Sequence, residues 1–183
     1  MSEPVFSESA TNAFRRQAEA CRKLGSPFTA ALCEIFADEG LPAGPVLDRV
    51  TGWEGRMHGG ADSVPLRLAG ALHYLALSGL DSKLADIYPP NGAKMPTSET
   101  IFGAIERNGA FIDRYLDSPP QTNETGRSAI LLPCFLHLRD RFDKPLVLSE
   151  LGSSAGLNQN WHRYRYEYGR WSWGNLDSPG PLA

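Results

Sequence analysis

The sequence predicts a mainly α protein: a helical domain over residues 1–143, leading over residues 144–183 into the first strand–loop–helix unit and a β-hairpin of an incomplete Rossmann-like α/β domain. Three observations predict it. Apolar residues recur at helical spacing through most of the N-terminal part. The apolar run Leu146-Val147-Leu148 then ends in Glu150, and the small-residue loop Gly152–Gly156 precedes a second run opening at Leu157, a pattern that reads as strand, tight turn, helix. Finally, Arg163 to Trp173 alternates with period two around Gly169-Arg170, the pattern of a hairpin.

Taken in order, Ala10, Phe14, Ala18, Cys21 and Leu24 form the apolar stripe of a first helix that stops at Gly25. Ser26-Pro27 supplies an N-cap and an N1 proline for a second helix, which carries Phe28, Ala31, Leu32, Ile35 and Phe36 and closes at Gly40. So short a connection predicts a helical hairpin. Val46, Leu47, Val50 and Trp53 suggest a short third helix, followed by a glycine-rich loop, Gly52 to Gly60. Val64 to Leu80 is apolar on nearly every face and predicts a central buried helix, with Arg67 paired or edge-facing and His73 a hydrogen-bonded core residue. Asp81 to Tyr88 reads as a brief helix before the loop Pro89–Gly92. Thr97 caps a long helix with the stripe Ile101, Ile105, Ile112, Tyr115 and Leu116, ended by Ser118-Pro119-Pro120. Ala129 to Phe142 predicts a further helix, kinked near Pro133.

Composition excludes several classes of function. A chain of 183 residues with 42% hydrophobic and 21% charged residues can bury a real core, while a formal charge of −3 supplies no basic field for nucleic acid or acidic lipid. No run approaches the ~20 apolar residues of a membrane helix, and Met1-Ser2-Glu3-Pro4 does not open a secretory signal, so a cytoplasmic protein is expected. Cys21, Cys33 and Cys134 form no CxxC pair, and His58, His73, His137 and His162 are scattered, so no metal site is expected.

Two stretches carry candidate chemistry. In Gln121–Ser128, amide, carboxylate, guanidinium and hydroxyl groups crowd the start of an apolar helix; Asn123, Glu124 and Arg127 are either a helix cap or the polar wall of a pocket. The glycine loop would present free N–H groups at a helix N-terminus and let a small molecule approach the main chain, making Glu150, Gly152, Ser153, Ser154, Ala155, Gly156 and Asn158 the candidate cofactor-binding residues. As Glu-x-Gly-x-Ser-x-Gly, the stretch resembles the first motif of S-adenosylmethionine-dependent methyltransferases, with Ser154 in place of the usual middle glycine. The same residues also satisfy G-x-S-x-G, the α/β-hydrolase elbow with Ser154 as nucleophile. That reading lacks an acid followed by a histidine downstream, since His162 precedes Asp177. The aromatic alternation of the tail, with Tyr168 facing Trp171 and Tyr166 facing Trp173, predicts a cluster that covers the core.

Gly25–Phe28 (GSPF), Leu66–Gly79, Pro119–Ala129 and Ser149–Gly169 together resemble the bacterial domain-of-unknown-function family 2332. The resemblance implies a helical part leading into a methyltransferase-like α/β domain, of which this chain looks like the front portion. As a fragment it is expected to bind S-adenosylmethionine without turnover, because no later strand is present to carry catalytic residues. No catalytic residue is assignable. The lone strand edge at Leu146 to Leu151 makes a homodimer, through that strand or the hairpin, the expected assembly. A non-catalytic helical binding or interaction module is the alternative.

Overall fold

Helix starts are set by side chains that take up free N–H groups. Ser7 Oγ accepts from the Ala10 amide at the head of α1 (Glu8–Lys23), and Thr97 Oγ1 from the Thr100 amide at the head of α6 (Ser98–Tyr115). The computed structural model describes residues 6–89, 92, 94–121, 124–178 and, without their side chains, 181–182. Expectations at Met1–Pro4, Pro90, Asn91, Thr122, Asn123 and Pro179 lie outside the described residues. The chain divides into two compact units, Met1–Pro120 and Gln121–Ala183. It is mainly helical.

In the first unit, α1 turns at Gly25 (φ +77°) into α2 (Pro27–Glu39), giving the expected hairpin. Phe14 and Phe36 meet edge-on between the two helices at 5.5 Å, and Arg15–Asp38 and Arg22–Glu34 ion pairs bridge their exposed sides. Leu24 lies past the end of α1 and is exposed, so it is not part of the stripe. Ser26 does not cap the helix with its side chain; its hydroxyl donates to Thr29 Oγ1 at 2.9 Å. α3 (Pro45–Thr51) buries Val46, Leu47 and Val50, and α4 (Val64–Leu77) buries Leu68, Ala71, Leu72 and Leu75. α4 is not apolar-buried all round, because His73, Tyr74 and Leu77 face outward.

His73 therefore is not a core residue; it stacks on Tyr88 at 5.4 Å. Arg67 is paired as expected, donating to the carbonyls of Asp62, Leu116 and Asp117 and lying over the Trp53 ring. α5 (Ser82–Ala85) is opened by Asp81, which accepts from the Leu84 amide. α6 breaks its regular dihedrals at Asn108 (φ −120°, ψ 17°), where the side-chain amide donates to Ala104 O and to Asp81 Oδ2. A side chain that takes an i−4 carbonyl competes with the helix ladder and bends it.

Among the described residues, Asp81 is the one carboxylate buried among these helices, with Arg107 donating to both of its oxygens. Burial works to raise its carboxyl, but the bonds from Arg107, the Leu84 amide and Asn108 outweigh that and hold it below the usual carboxylate range.

The second unit contains α7 (Arg127–Phe142), a 3-10 helix (Leu157–Arg163) and a small sheet. The sheet has the order β2-β1-β3, with β1 (Arg165–Glu167) antiparallel to β2 (Ser172–Trp173) and parallel to β3 (Pro181–Leu182). Tyr166 stands opposite Trp173, and the Tyr168 amide donates to Trp171 O at 2.7 Å, the register read from the alternation. α7 buries Ser128, Ala129 and Leu132, while Ile130, Leu131, Leu138 and Phe142 are exposed. Two expectations for the Rossmann-like unit are corrected. Residues 145–150 pair with no strand among the described residues, and the segment after Gly156 is a single 3-10 helix rather than an α-helix. The described residues form a mainly helical architecture with a small sheet, and none of their strands supplies the ladder that residues 145–150 would need.

Candidate functional site

The site is built from three short pieces of the second unit: the head of α7, the segment 145–156, and the 3-10 helix that follows. Glu150 lies at the end of the segment 145–150, and its Oε1 accepts from Asn158 Nδ2 at 3.2 Å. Asn158 Oδ1 in turn accepts from the buried Ser128 Oγ at 3.0 Å. Tyr166, fully buried on β1, donates to Trp161 O at 2.7 Å. Burial pushes its phenol up to about 12, with the neighbouring Tyr168 and Tyr164 raising it further and Ser128 pulling the other way. Tyr166 thus remains a proton donor at neutral pH. Ser128, Asn158 and Glu150 thus form a polar chain running from the head of α7 to the glycine turn.

One atom of that chain has no partner. Glu150 Oε2 is buried and makes no hydrogen bond. A buried acceptor left unsatisfied costs about 1–3 kcal/mol, and more when charged.

Beyond Glu150 the main chain turns through left-handed conformations at Gly152 (φ +66°), Ser154 (φ +49°) and Gly156 (φ +70°). Glycine takes such angles without strain, whereas Ser154 must be held there by its neighbours. A Cβ added at Gly152 or Gly156 would meet nothing within 4 Å, so the space over both is open. The Gly156 amide is used within the turn, donating to Ser153 O at 2.7 Å. Among the described residues, the amides of Gly152, Ser153 and Ser154 donate to no acceptor of the chain.

A cavity of about 340 Å³ in the same unit is walled by Phe135 and Arg139 of the second half of α7, by Lys144 and Leu146, by Trp161 of the 3-10 helix and by Trp173 of β2. Trp161 and Trp173 lie nearly parallel at 5.9 Å, and Phe135 packs on Trp161 at 5.0 Å.

The structure thus brings Glu150 and Asn158 together, and leaves Gly152, Ser153 and Ser154 in an open turn beside them. The other sequence candidates behave differently. Glu124 accepts from the Gly126 amide at 2.9 Å in a local turn, Arg127 is exposed, and no bond ties either to Glu150, Asn158 or the glycines; Asn123 lies outside the described residues. Ser154 Oγ has no histidine partner among the described residues, and His162 instead packs edge-on against Trp161. Sequence reasoning missed Ser128 as a member of the site: it was read as the end of a polar helix start, and only its position facing Asn158 reveals its part. No cluster of three or more potential metal ligands occurs among the described residues, and none of their helices is long and apolar enough to cross a membrane.

The family model for an uncharacterized protein conserved in bacteria, DUF2332, matches residues 11–183, and the chain belongs to that family. Comparison with curated proteins and with solved structures returns no match.

Proposed function

We propose that this member of the DUF2332 family binds a small molecule at the Glu150–Asn158 turn, with an adenosyl cofactor of the S-adenosylmethionine type as the ligand class. The observation that carries the proposal is the buried, unpartnered Glu150 Oε2. A ribose hydroxyl or an ammonium group would supply the missing donor, and Asn158, fixed by Ser128, would hold the carboxylate in place. The three free amides suit a carboxylate or other acceptor on the same ligand. Trp161, on the same 3-10 helix as Asn158, and Trp173 of β2 wall a cavity that would take the base. These residues fit the polar part of such a cofactor. When bound, it would supply an electrophilic methyl group; this chain contributes acceptor, amides and aromatic wall, and no residue is assigned to methyl transfer itself.

The domain reading that follows is a methyltransferase-like unit beginning at residue 144. Calorimetric titration with S-adenosylmethionine and S-adenosylhomocysteine tests the proposal. Wild type should bind, and Glu150→Gln should weaken binding at least tenfold by exchanging an acceptor pair for a mixed group. Absence of heat for wild type would leave the turn a mere connection. A second reading, self-association, is favoured by Val147 and Leu151, which are 94% and 98% exposed on the unpaired segment 145–151. Sedimentation of Val147→Asp against wild type tests that reading; an unchanged monomer in both would remove it.

A further inference from the structure

The first unit carries an open cavity of about 260 Å³ between α1 and the loop that follows α3. Ser9, Asn12 and Arg16 line it from α1 at positions i, i+3 and i+7, so one face of that helix carries all three. Arg56 and His58 line it from the loop. The Gly60 amide donates to His58 Nδ1 at 3.2 Å, which puts the ring proton on Nε2. Each of these five side chains is therefore a hydrogen-bond donor, and among the described residues no carboxylate lines the cavity.

Its two arginines lack a counter-charge. The other cations of α1 are all paired, Arg15 with Asp38, Arg22 with Glu34 and Lys23 with Glu19. Arg16 makes no ion pair and no side-chain hydrogen bond among the described residues, and neither does Arg56. Nearby acids do not fill the gap. Glu8 and Glu54 are exposed and form no part of the wall, and Asp62, which lies against Gly55, accepts from Trp53 Nε1 at 3.1 Å. Two guanidinium groups held in one cavity repel each other, and they do so in a chain whose formal charge is −3.

We propose that this cavity binds a phosphate group, as the free ion or as a small phosphate ester, held by Arg16 from the helix and Arg56 from the loop. A planar guanidinium can donate to two phosphate oxygens at once, and a doubly charged anion between two arginines replaces their repulsion with attraction. Ser9, Asn12 and His58 supply neutral donors for the remaining oxygens. Both arginines are exposed, so water and salt compete with the anion and millimolar affinity is expected. Glu150 lies in the other unit, and either proposal can fail without the other.

Inorganic phosphate and methyl phosphate, titrated into the full chain at an ionic strength kept constant with sodium chloride, test the proposal by protein NMR. Both should shift the backbone amides of Asn12, Arg16, Arg56 and His58 saturably, and the tighter of the two names the source of the phosphate. Arg16→Gln and Arg56→Gln should each weaken binding about fivefold or more. Arg15→Gln removes the same charge one residue away, from a side chain already paired with Asp38, and should leave binding unchanged. All three arginines are exposed, so the variants should fold, and urea unfolding gives a separate reading: millimolar phosphate should raise the midpoint of wild type more than that of the double variant Arg16→Gln/Arg56→Gln. The proposal is overturned by shifts that do not saturate for either probe, by equal weakening in Arg15→Gln and Arg16→Gln, or by the same rise in midpoint for wild type and the double variant.

Discussion

The two units of the chain solve the same problem of stability by different means. Met1–Pro120 surrounds Phe14, Phe36, Leu68, Leu72 and Ile112 with helices, so that these core residues are fully enclosed and the buried carboxylate of Asp81 is fully paired. Among the described residues, the apolar core of Gln121–Ala183 is Ala129, Leu132 and Tyr166, and the unit leans on partly exposed aromatic rings and a polar chain. The first arrangement leaves few needs unmet. In the second, Glu150 lacks a partner on one oxygen and apolar side chains at Val147 and Leu151 stand in water. A unit with a full core can afford to be a scaffold; one with unmet polar and apolar demands is where a ligand has most to offer.

Core truncation is the largest expected break in that contrast. Leu72→Ala should cost about 3–4 kcal/mol in urea unfolding of the first unit, as a fully buried leucine inside a dense core. Leu132→Ala should cost the second unit about 2 kcal/mol, because its thinner surroundings can relax into the space. Equal costs would erase the difference between the units.

Next is the paired carboxylate. Asp81→Asn should destabilise the first unit by about 2 kcal/mol at neutral pH, less than a wholly buried pair because Arg107 is itself partly exposed. Asp81 is held below the usual range, so its contribution is complete above the ordinary carboxylate pKa of ~3.9 and is lost as pH falls through the lower folded value. Urea midpoints of wild type and Asp81→Asn should therefore converge as the solution is acidified below that range. A constant gap would assign the loss to packing.

Tyr166→Phe should cost about 1 kcal/mol in the second unit by freeing the Trp161 carbonyl, read from the same unfolding curves. At the small end, Val147→Asp and Leu151→Lys should each change monomer stability by under about 0.5 kcal/mol, since both side chains are almost wholly solvated. A larger loss would mean that the segment packs on something.

Helical hairpin, caps and stripes in the first unit were legible because local period and punctuation decide them: Ala10, Phe14 and Ala18 are buried, and Gly25 and Gly40 both adopt positive φ. The hairpin register at Tyr166 and Trp173 was legible for the same reason. Residues 145–150 have the composition of a strand, yet strand formation depends on a partner, and sequence period cannot say whether one is present. The break at Asn108 and the bidentate Asp81–Arg107 pair, 26 residues apart in sequence, were likewise invisible to local reading. Of the candidate site, Glu150 and Asn158 could be named from the motif. Ser128 could not, since it reaches Asn158 only through the fold. His73 was misjudged because its helix is apolar in composition on the side that turns out to face solvent.

The most direct measurement is calorimetric binding of S-adenosylmethionine to wild type and to Glu150→Gln, with both proteins checked for equal unfolding midpoints. Saturable heat in wild type that falls at least tenfold in affinity in the variant is the predicted result. Identical binding by the two proteins, or none by either, would contradict the claim that the unpartnered oxygen of Glu150 is reserved for a ligand.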